Sequence, residues 1–137
     1  GGISAAAEVD EKYTKCGRYS YCWPRDAAYM TKAMDILKMN KEVDKFYKVF
    51  CKKTQSKNGM WEQRFYGDGR LAPCWGYQID ETASILIGAF ENGKYRRLEE
   101  LIYKATLALL DFVSEKNISK RGLQVSQKLV SLGIKLD

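Results

Sequence analysis

The sequence predicts an all-α protein made of helical hairpins. Long stretches of the 137 residues carry apolar side chains at helical spacing, and short turns separate these stretches in pairs. The hydrophobic content of 45% is typical of a globular chain, and the length suits one domain with one core. We therefore expect a single, all-helical domain.

The first predicted hairpin joins two helices across a turn near Asn40. Pro24 suits the first position of a helix, because its missing N–H has no partner to lose there. This helix is expected to run to about Met39, with its buried stripe at Ala27, Met30, Ala33, Met34 and Leu37. Asn40 is expected to cap the second helix, in which Val43, Phe46, Tyr47 and Phe50 follow the same spacing.

The second predicted hairpin joins two helices across Asn92 and Gly93, residue types that commonly end helices. The third helix begins near Asp80, which is a candidate N-cap, and contains ETASILIGAF. The fourth helix covers 94–115. Its predicted apolar face consists of Leu98, Leu101, Ile102, Ala105, Leu109 and Phe112.

A long segment, 56–79, separates the two hairpins and contains WEQRFYGDGRLAP, which alternates around Gly67, Asp68 and Gly69 as in a small β-hairpin. Two successive antiparallel hairpins make the first and third helices parallel. These two helices are rich in small and apolar residues, whereas the second and fourth are strongly charged. This difference is typical of inner and outer helices in a layered α/α arrangement.

Composition excludes several classes of site. The net charge of +6 is spread among acidic residues rather than clustered, so we expect no nucleic-acid partner. The four cysteines lack C-x-x-C spacing and no histidine is present, which argues against a zinc site and excludes His-based triads. We expect no cofactor, no membrane span, buried free thiols and a cytoplasmic location.

Two aromatic stretches, YSYCWPRD and APCWGYQIDE, precede the first and third helices and should therefore be neighbours. Their rings offer apolar faces, and the polar side chains beside them offer hydrogen bonds to paired hydroxyls. Core packing with ordinary helix capping and a carbohydrate pocket both remain compatible with this pattern. The candidate site residues are Tyr19, Trp23, Arg25, Asp26, Trp75, Gln78 and Asp80.

Two motifs in this order, Y-x-Y-C-W-P-R-D-A and W-G-Y-Q-I-D-E-T-A, together with the opening GGISAAAEVD, resemble the bacterial and archaeal glucoamylases of glycoside hydrolase family 15. The resemblance covers residues 1 to about 112. It implies part of a six-hairpin α/α barrel from an inverting enzyme that releases terminal α-linked glucose. It also implies that Arg25 and Asp26 hold hydroxyls of the terminal glucose, that Tyr19 lies beside the reacting ring, and that Trp75 stacks near the cleavage point.

Residues 113–137 form a divergent, largely basic tail that does not resemble the family. The family's catalytic acid and base lie in segments that have no counterpart here, so we assign no catalytic residue; Asp80 and Glu81 are expected to be binding or structural. The substrate is expected to be an α-glucan or oligosaccharide. An α,α-trehalase or glucodextranase of the same family and a non-enzymatic sugar-binding remnant remain alternatives. The isolated chain is expected to self-associate through an apolar face of ETASILIGAF.

Overall fold

The computed structural model describes residues 1–6, 19–74 and 76–116. In this part of the chain, four helices dominate and extended pairing is limited to isolated bridges, which confirms the all-α prediction. Helix α1 is Pro24–Ile36 and α3 is Ile79–Glu91. A 3₁₀ turn, Tyr95–Arg97, precedes α4, which is Glu99–Lys116. Helix α2 spans 40–54 and consists of Asn40–Lys45, a π-helical Phe46–Cys51 and a final turn Lys52–Thr54.

Helices α1 and α3 lie side by side and parallel, as predicted. At one end, Arg25 of α1 contacts Asp80 and Glu81 of α3. At the other end, the Lys32 ammonium of α1 lies 3.3 Å from the Glu91 carboxylate of α3. The two helix N-termini therefore meet at the same end of the molecule.

Small side chains allow this close approach. A Cβ added to Gly88 of α3 would lie 3.3 Å from the Cβ of Ala28 on α1 and 2.3 Å from the hydroxyl of Tyr47 on α2. The Tyr47 hydroxyl is within 2.9 Å of Thr31 Oγ1, and Asn92 donates to Thr31 at 3.2 Å. Helix α2 thus packs across both α1 and α3 through a buried hydrogen-bonded junction.

The buried face of α1 differs by about one position from the predicted one. Ala27 is buried as expected, but its buried neighbours are Ala28 and Thr31, whereas Ala33 and Leu37 are exposed. The helix turns this face inward because the small side chain of Ala28 permits contact with Gly88. The prediction for the second helix was correct, since Val43, Phe46, Tyr47 and Phe50 are all buried.

Three predicted helix boundaries were wrong. Helix α1 ends at Ile36 rather than Met39, because Lys38 adopts a left-handed backbone conformation, with φ of 62°. Asn40 is the first residue of α2 and does not cap it; Met39 precedes the helix without a side-chain hydrogen bond. Likewise Gln78, not Asp80, precedes α3. The predicted end at Asn92 is confirmed, with Gly93 at φ of 63°.

Helix α4 packs its predicted face inward, where Leu101 and Ala105 are buried, and Leu98 just before the helix is buried with them. Phe112 is only half-buried. The turn before the fourth helix was not predicted: 95–97 form a separate 3₁₀ turn, so α4 begins at Glu99. The described part of the predicted tail, 113–116, continues α4, and the rest of it lies outside the described residues.

The predicted hairpin around Gly67, Asp68 and Gly69 is present as a tight turn with a bridge between Phe65 and Leu71. The same Phe65 exchanges two backbone hydrogen bonds, of 2.8 and 2.9 Å, with Cys22. The N-terminal residues lie along the other side, where the N–H of Ala5 donates to the carbonyl of Tyr21 at 2.9 Å. The aromatic turn before α1 is therefore held between two backbone segments.

Candidate functional site

The candidate site is the place where the N-termini of α1 and α3 meet. Trp23 and Gln78 are the residues that immediately precede the two helices, and Arg25 and Asp80 are the second residues within them. Parallel helices bring the positive ends of two macrodipoles together, and acidic residues in both first turns offset this. The sequence-predicted residues Trp23, Arg25, Gln78 and Asp80 are thus brought to one end, as expected.

Arg25 is the centre of the ionic contacts at this site. Its Nη1 donates to Asp80 Oδ2 at 2.6 Å and lies 3.1 Å from Glu81 Oε1. Asp26, predicted to hold a sugar hydroxyl beside it, forms an ion pair with Arg25; the 3.8 Å between Nη2 and Oδ2 is too long for a hydrogen bond. Arg25 Nε and Nη2 donate no hydrogen bond to the described residues. The Arg25 side chain is 32% exposed.

Glu81 is buried, with none of its side chain exposed. Its Oε2 accepts a 2.6 Å hydrogen bond from the backbone N–H of Arg25. Removal from water raises the pKa of Glu81 from its usual 4.5 to about 7, against the opposing effect of Arg25. This carboxylate was expected to be binding or structural, and the sequence carried no signal of its burial.

An aromatic group adjoins the ionic contacts. Tyr19, with 49% of its surface exposed, packs against Trp23 with 5.6 Å between the ring centroids. Tyr21 meets Trp23 edge-on at 6.1 Å. The guanidinium of Arg64, from the hairpin, lies 5.3 Å from the centroid of Tyr21 and 5.6 Å from that of Trp23. No local sequence pattern points to Arg64, because it reaches the rings only through the pairing of Phe65 with Cys22.

Trp75, the remaining predicted site residue, lies outside the described residues. Its neighbour Tyr77 is 44% exposed. Among the described residues, the exposed side chains of Tyr19, Tyr77 and Asp80 form an open surface at this end of the helices. A cavity of about 390 Å³ lies elsewhere, between the end of α2 and the start of α4, and is lined by residues such as Gln55, Arg97 and Lys104.

The described residues offer no group of three or more acidic or cysteine side chains placed to hold a metal ion. Nor does any described helix combine the length and apolar character needed to cross a bilayer. The described side chains of the site offer hydrogen-bonding groups, from Arg25 and Asp80, and the ring faces of Tyr19 and Trp23. A raised pKa near neutrality is typical of general acids, but the buried Glu81 carboxylate has no surface from which to reach a substrate.

Comparison with known proteins points to carbohydrate-active enzymes. Over 86 residues, or 63% of the chain, the sequence is 33% identical to an uncharacterized glycosyl hydrolase of Methanocaldococcus jannaschii. The chain spans 13% of the length of that relative. No family model matches the sequence, and no solved structure matches it. The similarity indicates a glycoside hydrolase-like relationship.

Proposed function

We propose that this chain is part of a glucoamylase-like glycoside hydrolase and carries the residues that hold the terminal glucose of an α-glucan. The observation that carries the proposal is the placement of Arg25. Its guanidinium lies where two helix N-termini meet and is fixed by Asp80. Trp23, the residue just before α1, packs against Tyr19 with 5.6 Å between the ring centroids. The similarity to a glycosyl hydrolase supports the same conclusion.

Each residue has a distinct role in this proposal. The Nε and Nη2 groups of Arg25 donate to one sugar hydroxyl or to two adjacent ones, and Asp26 accepts from a neighbouring hydroxyl. Tyr19 and Trp23 contact the apolar C–H face of the ring. The remaining predicted residues complete the proposed site: Trp75 stacks near the cleavage point, and Gln78 and Asp80 add polar contacts at the start of α3.

The proposed parent enzyme hydrolyses its substrate with inversion and is built on a barrel of six helical hairpins, of which this chain supplies two. The hairpins observed here, α1 with α2 and α3 with α4, have parallel first members, as such a barrel requires. Hydrolysis of α,α-trehalose or of an α-1,6-linked glucan by the same family remains an alternative, since the terminal glucose is common to all three substrates.

Sugar binding by the 137-residue chain tests the proposal. Calorimetric titration with maltose, trehalose and isomaltose should show heat of binding. Cellobiose, a β-linked disaccharide, should bind less well. Arg25→Lys keeps the charge but loses the planar fork, so we expect maltose affinity to fall by roughly tenfold or more. Calorimetric titration of both forms measures this.

Arg96→Lys provides a matched control, because Arg96 stacks on Tyr95 in the turn before α4, away from the site. It should leave the maltose dissociation constant unchanged. Equal affinity of the wild type and Arg25→Lys for maltose would remove Arg25 from the site. Binding that fails for every α-linked sugar would contradict the proposed function of this chain.

A further inference from the structure

Glu81 is a buried carboxylate. The ordinary role of an acidic residue in a first helical turn does not explain this burial. Acids in a first helical turn are usually exposed and offset the helix dipole from the surface, as Asp80 does with 58% of its side chain exposed. Burying a carboxylate costs several kcal/mol unless its partners compensate. The contacts that Glu81 makes in return are therefore informative.

Both oxygens of Glu81 face the same residue. Oε2 accepts from the backbone N–H of Arg25 at 2.6 Å, and Oε1 lies 3.1 Å from Arg25 Nη1. The second contact is ionic without hydrogen-bond geometry, so Oε1 has no hydrogen-bond partner among the described residues. The Glu81 carboxylate therefore contacts both the backbone N–H and the guanidinium group of Arg25, the second residue of α1.

We propose that Glu81 is a positioning residue, which fixes the Arg25 guanidinium so that its Nε and Nη2 groups face a sugar ligand. This inference rests on the proposed function. With Nη1 bound to Asp80 and close to Glu81, the guanidinium plane is set before a ligand arrives. A donor group that is already ordered loses less conformational entropy on binding than a free arginine side chain.

Glu81→Gln separates positioning from simple stability. Glutamine has nearly the same size and its oxygen can still accept the backbone N–H of Arg25, but it lacks the charge that attracts Nη1. Glu91→Gln is the matched control, because Glu91 is also an α3 carboxylate paired with an α1 cation, Lys32, at the far end of the same two helices. Both variants are made in the full 137-residue chain.

Two measurements at pH 8 are needed. The first is the ¹⁵N relaxation of the Arg25 Nε–H group in the sugar-free chain, assigned by its loss in Arg25→Lys. The second is the maltose dissociation constant. In Glu81→Gln we expect faster motion of Nε–H and a dissociation constant roughly two- to twelvefold higher, which corresponds to immobilising one long side chain. Glu91→Gln should match the wild type in both.

The outcomes separate this inference from the proposed function. If the wild type fails to bind maltose, the proposed function fails, while the sugar-free relaxation data still decide whether Glu81 orders Arg25. If Glu81→Gln binds maltose as the wild type does and its Arg25 group is equally ordered, the positioning role is overturned.

A second experiment covers the case in which Glu81→Gln does not fold. Lowering the pH of the wild type from 8 to 5 protonates Glu81, whose pKa is about 7, and should loosen the Arg25 group without any substitution. The other titratable or charged groups that face Glu81 are Cys22, Asp26, Asp80 and Arg25 itself. Asp80→Asn, measured in parallel, shows how much Asp80 contributes to ordering the Arg25 group. Unchanged Arg25 relaxation between these pH values would overturn the inference.

Discussion

The nearest hydrogen-bond partners of Arg25 in space are far from it in the sequence. The adjacent pair Arg25 and Asp26 was predicted to offer a donor fork and an acceptor to paired sugar hydroxyls, and the two side chains form an ion pair at 3.8 Å. The close partners of Arg25 are Asp80 and Glu81, more than fifty residues away along the chain. The position of the Arg25 guanidinium is therefore set by the packing of two helices rather than by a local motif.

Burial of Glu81 has a consequence for stability that depends on pH. Its pKa is about 7 in the folded chain and about 4.5 when unfolded, so between these values the folded state binds more protons. Stability therefore falls as the pH rises through this window, and above it the chain bears the full cost of a buried charge. The difference between the two pKa values corresponds to a loss of about 3 kcal/mol in the free energy of unfolding.

Glu81→Gln should remove this dependence. We expect the variant to gain stability relative to the wild type by up to about 3 kcal/mol between pH 4 and pH 8, with the difference developing mainly from 4.5 to 7. Urea denaturation of both proteins across this pH range measures the difference in their free energies of unfolding. The other carboxylates titrate in both proteins, so their effect cancels in this difference. A constant difference at all pH values would show that Glu81 has an ordinary pKa.

At the scale of elements, contact between α1, α2 and α3 depends on the absence of a side chain at Gly88. Alanine is the better helix former by about 1 kcal/mol, but its Cβ would lie 2.3 Å from the Tyr47 hydroxyl. We expect Gly88→Ala to destabilise the chain by about 1–3 kcal/mol through overpacking. Gly67→Ala, where the nearest atom would be 4.0 Å away, should be close to neutral in the same urea titration.

Tyr47→Phe tests the origin of that effect. Alone it removes the hydroxyl that contacts Thr31, at an expected cost of about 1 kcal/mol. Combined with Gly88→Ala it also removes the atom against which the new methyl would clash. The double variant should therefore lose less stability than the sum of the two single variants. Additive losses would show that the backbone of α1, and not the Tyr47 hydroxyl, limits the space at Gly88.

At the scale of the whole molecule, the apolar surface available for self-association differs from the predicted one. The prediction that ETASILIGAF exposes an apolar face was wrong, because Ile85, Leu86 and Ala89 are buried against the other helices. Among the described residues, the three most exposed large apolar side chains lie on α1 or directly after it. Tyr29, Ile36 and Leu37 are 67%, 72% and 70% exposed.

Self-association itself stays a prediction, now attributed to this face of α1. Ile36→Lys should weaken dimer formation by roughly tenfold or more, as expected for removing one aliphatic side chain from an interface. Val49→Lys on α2, which is 57% exposed, is the control and should have little effect. Sedimentation equilibrium over a range of concentrations distinguishes the two. A wild type that remains monomeric at millimolar concentration would refute the prediction.

The described residues also lead us to expect no glucose release by the 137-residue chain. Hydrolysis with inversion needs an acid and a base, and losing either one typically lowers the rate by roughly 10²–10⁴-fold. Asp26 and Asp80 form ion pairs with Arg25, and Glu81 is enclosed. A coupled glucose assay with maltose, starch and trehalose should therefore give the uncatalysed rate. Turnover that Glu81→Gln abolishes would instead assign chemistry to Glu81.

The sequence by itself determined the helices, their pairing and the residues of two converging aromatic turns. Periodic apolar residues set α2 and α4, and the turn at Asn92 and Gly93 ended α3, because these are local preferences of the chain. Only the tertiary structure decided which face of α1 is buried, that Arg64 covers the aromatic rings, and that Glu81 is enclosed. These features depend on how closely Ala28 approaches Gly88 and on how the hairpin pairs with Cys22, contacts between segments distant in sequence that no local pattern specifies.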